Sequence, residues 1–269
     1  MDKTDSAVQP VRKTPLFATD IDNTLICKKK PDSMGICVAV KNGENASYMS
    51  NESYDKLVKM LSMMEILPVT TRCRKSYENI YLKKFAKRAL VDNGAVLVSE
   101  NKEEEEEWLS WSRSVVKEHK KRFRQAGIIL KSYGYREKWG SEFTLDYVNN
   151  TACSLQQKVL EDFKDILLIS EPGGSHRAVL CSYKELSKGI CIQRFAEKFG
   201  YDLFLSAGDS SEDESMFSKT LYSIGKKGSG AVYEFADDKS RKHDSRLFCD
   251  YVIDTADMLI RQMNENHCL

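Results

Sequence analysis

At 269 residues the chain can form one large domain or two modest ones, with enough length to bury a substantial core. Hydrophobic residues at 41%, charged residues at 30% and a formal net charge of +1 describe a globular composition with no overall drive toward nucleic acid or a membrane surface. No apolar run approaches the roughly 20 residues of a membrane span; eight scattered cysteines without a CxxC pair, and four histidines without an HxxxH pair, argue against a zinc ribbon, a disulfide scaffold and a zinc hydrolase.

Reduced thiols in a cytoplasmic setting are the expectation from that cysteine pattern. The first stretch, "MDKTDSAVQPVRKTP", lacks the apolar core of a signal peptide, and residues 1–13 read as a flexible leader. Strand "LFATD" (16–20) opens the ordered chain. "GICVAVKNGENASYMS" (35–50) reads as a hairpin around "KNGEN". A helix over "ESYDKLVKMLSMM", a strand "EILPVT" (65–70) and a helix over "KSYENIYLKKFAKR" follow. "ALVDNGAVLVSE" (89–100) then places two short apolar pieces around Asn93-Gly94.

From about 101 to 182 the texture changes. "EEEEEW" begins one long helix ending in "KEHKKRFR", with acids first and bases last as the helix dipole favours. Trp108, Trp111 and Val115 mark its buried stripe. Strands over 128–133 and 142–148, a helix over 152–165 and strands over 166–170 and 176–181 complete an α-β-β-α-β-β unit. The helix "ELSKGICIQRFAEKFG" stops at Gly200, and strand "LFLSAGD" (203–209) follows. A short helix from Ser211, strands "LYSIG" and "YVID" and a final helix end the chain. The alternation is that of an α/β core formed by 14–100 and 183–269, into which 101–182 is inserted.

The chemistry concentrates at strand exits. Asp20 and Asp22, one residue apart in an extended segment, point to the same side and repel unless a cation lies between them; a solvated turn is the plain alternative. "AGDSSEDESMF" (207–217) repeats the pattern with Asp209 and Asp213. Acids at the carboxyl ends of parallel strands lie where open α/β sheets bind ligands, and oxygen-only ligation suits Mg²⁺ better than a transition metal. "PVTTR" (68–72) offers the hydroxyls of Thr70 and Thr71 and the cation of Arg72 at another exit. Lys188 stands at a helix start, where a cation is unfavourable without an anion beside it.

In order and spacing, Asp20-Ile21-Asp22-Asn23-Thr24, Thr70-Thr71-Arg72, Lys188-Gly189 and Gly208-Asp209…Glu212-Asp213 resemble the four signature motifs of the haloacid dehalogenase (HAD) superfamily. "DNGA" (92–95) and the insert resemble the branch with a large α/β cap, which includes the Cof-type and sucrose-phosphate phosphatases. The resemblance spans about residues 14–260. Asn23 stands where glycine is common, and Glu212 where asparagine is common.

The resemblance implies a Rossmann-like, doubly wound parallel-sheet core with an α+β cap, and a phosphatase of small sugar or polyol phosphates. Asp20 would be the nucleophile, Asp22 the proton carrier, and Lys188, Thr70 and Thr71 the phosphate-binding groups. Mg²⁺ would be held by Asp20, the Asp22 carbonyl, Asp209 and Asp213. Arg72 and Asn93 are the expected substrate contacts at core strand exits, with Arg136, Lys138 and Arg177 as candidates in the cap. The expected partner is a small phosphorylated metabolite, with no nucleic acid or membrane, in a monomer or homodimer. A phosphomutase and a non-catalytic ligand-binding protein are the rival expectations.

Overall fold

The computed structural model describes residues 13–28, 35–81, 85–99, 101, 104–149, 160–170, 178–236 and 247–265. The apolar run opening the chain forms β1 (Thr14–Thr19), which is buried along nearly its whole length. A strand covered on both faces belongs in the middle of a parallel sheet, and β1 takes that place. It pairs in parallel with β4 (Glu65–Pro68) on one side and β11 (Tyr201–Ala207) on the other. Beyond β11 lie β12 (Tyr222–Lys226) and β13 (Tyr233–Phe235), giving the order β13-β12-β11-β1-β4, parallel throughout.

β5 (Arg88–Val91) touches this sheet through one parallel bridge, Val69 to Leu90, and forms an antiparallel hairpin with β6 (Val96–Ser99). The second hairpin, β2 (Gly35–Lys41) with β3 (Glu44–Ser50), turns at Asn42-Gly43 with φ of 54° and 82°. Two successive positive φ values match the right-handed twist of the arms, and Asn-Gly tolerates them. Main-chain bonds between Cys27 and Tyr48 tie β3 to the segment leaving β1.

Helices cover the parallel sheet. α1 (Asn51–Met60) is capped by the Ser50 hydroxyl, which accepts from the Ser53 N–H. α2 (Arg74–Tyr77) is a single turn. α3 (Glu106–Val115) lies against β6, with Trp108 Nε1 donating to the Gly94 carbonyl and Ser112 Oγ to the Ala95 carbonyl, and α4 (Lys120–Ser132) packs on a separate antiparallel sheet. That sheet has the order β7-β8-β10-β9, from β7 (Arg136–Gly140), β8 (Thr144–Val148), β9 (Leu167–Ser170) and β10 (Ala178–Tyr183). Phe123 of α4 stacks on Tyr183 of β10 at 4.4 Å between centroids. α5 (Lys188–Phe199) ends at Gly200, with φ 74°. α6 (Glu214–Phe217) is short, and α7 (Phe248–Glu265) packs against α1. No helix among the described residues is long and apolar enough to cross a membrane.

Several local expectations are corrected. The long helix from "EEEEEW" is broken at Val116 by a 3₁₀ turn, and 128–132 belongs to α4 rather than a strand, with Tyr133 as its C-cap. Phe123, Ala126, Gly127 and Leu130 are buried at helical spacing, so the apolar "IIL" continues a helix face. "YVID" lies inside α7, where Val252, Ile253, Ala256, Leu259 and Ile260 form one buried face. The helix expected over 75–88 ends at Tyr77, because Asn79 and Ile80 pair with β2 instead. The short helix expected from Ser211 starts at Glu214. β7 and β13 were not anticipated. Of the helix expected over 152–165, residues 152–159 lie outside the described residues, and 161–163 form a 3₁₀ turn.

The start of α5 lies hard against the segment that follows β11. A Cβ on Gly189 would overlap the backbone carbonyl of Ser215, and a backbone carbonyl cannot swing aside as a side-chain tip can. Gly189→Ala is therefore expected to lower stability by about 2 kcal/mol, read as a lower denaturant midpoint at unchanged slope.

Candidate active site

β1 and β11 are neighbours in register, Thr19 opposite Ala207, so the residues leaving them emerge side by side. The Asp20 N–H donates to the Ala207 carbonyl at 2.9 Å, which fixes Asp20 beside the Gly208-Asp209 exit. Carboxylate oxygens of Asp20, Asp209 and Asp213 all lie within 4.8 Å of one another.

Lys188 is the counter-charge. It is the first residue of α5 and only 1% exposed. Its Nζ donates to Asp20 Oδ1 at 2.8 Å and to Asp213 Oδ1 at 2.6 Å. The cation expected to need an anion at a helix start thus has two. Burial pulls the ammonium down, but the two carboxylates outweigh it and raise Lys188 above the ordinary lysine range.

The three acids differ in what they already hold. Asp213 Oδ2 accepts the N–H groups of Asp209 and Ser210 at 3.1 Å each and the Ser210 hydroxyl at 2.8 Å. With Lys188 on its other oxygen, Asp213 has little capacity left and acts as the clasp of the loop. Asp209 Oδ2 accepts from Lys226 Nζ at 2.8 Å, and among the described residues Asp20 Oδ2 has only a long bond of 3.3 Å from Thr24 Oγ1. Burial pushes the Asp209 carboxyl up, against the pull of Lys226. Burial likewise pushes Asp20 up, to about 8, against the pull of Lys188 and reinforced by Asp213 and Asp209. Three acids crowded against two ammonium groups favour a further cation, which would release the Asp20 proton. An oxygen-only donor set of this kind fits Mg²⁺, with Asp20 and Asp209 carrying the least engaged oxygens.

Asp22 lies one turn further out. The loop folds back by N–H donation from Thr24, Leu25 and Ile26 to the Ile21 carbonyl. Asn23, at its tip, has φ 60°. Glycine is common there because the left-handed region is open to it, and asparagine is among the few other residues that tolerate it. Arg72 Nε and Nη2 donate to the two Asp22 oxygens at 2.6 and 2.7 Å, a bidentate pair. Thr70 is buried beside it, and its Oγ1 accepts from the Arg72 N–H at 3.2 Å. Thr71 is half-buried and lines a cleft of about 770 Å³ next to Asp22 and Arg72.

Asn93 is placed differently from expectation. It is 1% exposed, adopts φ 60°, and donates its side-chain amide to Ser182 Oγ of β10 at 2.8 Å. Its backbone N–H donates to the Thr70 carbonyl, and that of Asp92 to the Arg72 carbonyl. The 92–93 turn therefore braces the Thr70–Arg72 segment and does not line the cleft. Lys138 does line it, whereas Arg136 is exposed on β7 and Arg177 lies outside the described residues.

Two site contacts were not read from the sequence. Lys226 ends β12, and the register of β11 with β12 carries it to Asp209; a cation ending a strand is the one local signal the sequence offered for it. Glu212 accepts from the Ser170 hydroxyl of β9, so it joins the Asp209–Asp213 loop to the antiparallel sheet. Burial alone would raise the Glu212 carboxyl, yet donation from Ser170 and Ser210 holds it below its ordinary range.

No family model matches the sequence, and no curated protein matches it. The fold has clear counterparts among solved structures. It aligns with a HAD subclass IIB sugar phosphatase at TM-score 0.59 and 13% identity, over 95% of this chain and 100% of that one. It aligns with the sucrose-phosphatase of Synechocystis, solved with sucrose and phosphate, at TM-score 0.58 and 16% identity, over 79% and 82%. The C-terminal domain of trehalose-6-phosphate phosphatase from C. albicans aligns at TM-score 0.57 and 15% identity, over 93% of each chain. The HAD resemblance read from the four motifs is thus borne out in the fold, together with the α/β architecture on a parallel sheet.

Because folding lifts Asp20 from its ordinary 3.8 to about 8, the folded, metal-free chain keeps a proton that the unfolded chain releases. Stability from this group is complete below the lower value, falls as pH rises between the two, and is lost above the upper one. Asparagine carries no such proton. In chelator, the stability gap between Asp20→Asn and the wild type is expected to shift in favour of the variant from about pH 5 to about pH 8 and then level. Urea midpoints across that range check it; a gap independent of pH contradicts the assignment.

Proposed function

We propose that the chain is a Mg²⁺-dependent phosphomonoesterase of small sugar or polyol phosphates, working through an aspartyl-phosphate on Asp20. The observation that carries this reading is the trio of Asp20, Asp209 and Asp213 gathered around buried Lys188 at the carboxyl ends of two adjacent parallel strands. A structural ion pair needs one acid for one base. Three acids, one of them with a nearly unengaged oxygen, suit a cation and a nucleophile.

Asp20, Asp209 and the Asp22 backbone carbonyl would hold Mg²⁺, with Asp213 orienting the loop and Lys188. The ion supplies charge neutralisation, without which a carboxylate and a phosphate repel. An Asp20 oxygen attacks phosphorus, forming the acyl–phosphate bond as the ester P–O bond breaks. Lys188 and the hydroxyls of Thr70 and Thr71 hold the phosphoryl oxygens. Asp22 delivers a proton to the departing alcohol, then takes one from the water that attacks phosphorus, releasing phosphate and restoring the Asp20 carboxylate. Arg72 holds Asp22 by both oxygens, so its guanidinium must turn away, toward the arriving substrate, before Asp22 can carry that proton. The antiparallel unit with α3 and α4, corresponding to the inserted 101–182, would be the cap that selects substrate, working in the cytoplasm. Its β7, β8 and β10 contribute one wall of the cleft beside Asp22.

Phosphate release from 4-nitrophenyl phosphate is expected to require Mg²⁺, stop in excess chelator and vanish in Asp20→Asn. Asp22→Asn is expected to lower turnover of alkyl phosphates by about 10²- to 10⁴-fold. The loss should be smaller on 4-nitrophenyl phosphate, whose leaving group departs without a proton. Equal losses on both substrates would remove Asp22 from the proton-carrying role. Phosphoryl return to substrate with no free phosphate would favour a mutase.

A further inference from the structure

The cleft beside Asp22 is strongly one-signed. Lys28, Lys41, Arg72, Lys75 and Lys138 line it, against Asp22 and Asp146. Two of these cations are matched: Arg72 by Asp22, and Lys138 by Asp146 at 2.8 Å. Lys28, Lys41 and Lys75 have no ion-pair partner among the described residues, so seven charged groups leave a surplus of three positive charges. The whole chain carries a net charge of only +1. The surplus is thus a local concentration, and a concave wall focuses its field.

The placement of these cations says what they meet. They come from separate parts of the chain: the turn after β1, the end of β2, α2 and β7. None is needed for the transferred phosphoryl group, which the phosphatase reading places at the buried Lys188, and Lys188 does not line the cleft. Asp22, the proton carrier for the leaving alcohol, stands at the cleft wall, so the cleft is where the leaving alcohol sits. Trp139 and Leu180 add apolar wall for a carbon skeleton, and about 770 Å³ suits a small metabolite.

We infer that the preferred substrate carries a second anionic group, a carboxylate or another phosphate, on its leaving alcohol: a phosphorylated sugar acid or a sugar bisphosphate, rather than a neutral sugar phosphate. This rests on the phosphatase reading above and narrows its substrate class.

Matched pairs test it: 6-phosphogluconate against glucose 6-phosphate, and fructose 1,6-bisphosphate against fructose 6-phosphate, with 4-nitrophenyl phosphate as the check on phosphatase activity itself. The acidic member of at least one pair is expected to have a kcat/KM at least about tenfold higher, which is what two or three partly exposed ion pairs supply. Which pair shows it distinguishes a carboxylate from a phosphate. The preference should shrink with added salt and in the Lys41→Gln, Lys75→Gln double variant. If 4-nitrophenyl phosphate is hydrolysed but neither pair shows the preference, or the double variant keeps it in full, this inference falls and the phosphatase reading stands. If no ester is hydrolysed, the phosphatase reading falls. Calorimetric titration of the same pairs in EDTA then decides the charge preference on binding alone, and equal affinities overturn it.

Discussion

A buried ammonium shared by two carboxylates organises this protein. Taking a lysine charge out of water costs several kcal/mol, and removing one partner from a buried pair typically costs about 3–5 kcal/mol. Lys188 therefore demands that Asp20 and Asp213 be where they are. Asp20 ends β1, Asp213 closes the loop after β11, and Lys188 begins α5. One side chain thus locks together the three segments that any chemistry here must use. Asp213 is saturated by this duty, which leaves Asp20 and Asp209 as the acids with capacity for a ligand.

The parallel sheet makes that lock possible. Strands running the same way release their carboxyl ends on one edge, so β1, β4 and β11 deliver Asp20, Thr70 and Asp209 to a single place. An antiparallel arrangement of the same strands would have sent them to opposite edges. Around this centre, polar contacts join the parallel sheet to the antiparallel one. Asn93 reaches Ser182 on β10, and Glu212 reaches Ser170 on β9. Both contacts start from loops that also touch the site: one backs Thr70 and Arg72, the other contains Asp209 and Asp213.

The Arg72–Asp22 pair adds a second charge constraint. A guanidinium holding both oxygens of a carboxylate fixes the orientation of that acid. The same guanidinium faces a cleft rich in lysine. The proposed proton delivery by Asp22 and the proposed recognition of an anionic group in the cleft would thus meet at one residue.

Much of this was written in the chain locally. Acids at the ends of apolar runs, hydroxyls and a cation after "PV", and a lysine opening a helix identify themselves by residue type and spacing, because strand and helix periods are short-range properties. So do the Asn42-Gly43 turn and the stop at Gly200. The departure at Asn23 is also local, since its left-handed φ explains why asparagine can stand there. Short apolar runs were the weak point. "IIL" and "YVID" suit a strand or a helix by composition, and only the buried faces of α4 and α7 chose. What the tertiary structure alone decided is who meets whom. Lys226 reaches Asp209 because β12 lies next to β11; Arg72 turns to Asp22 and Asn93 inward to Ser182 because β4, β5 and β10 are brought together. Lysines scattered from 28 to 138 share one cleft for the same reason. Side-chain types and local periods travel with the sequence, but the partners of a buried charge are set by which strands become neighbours, and that is a property of the packed sheet as a whole.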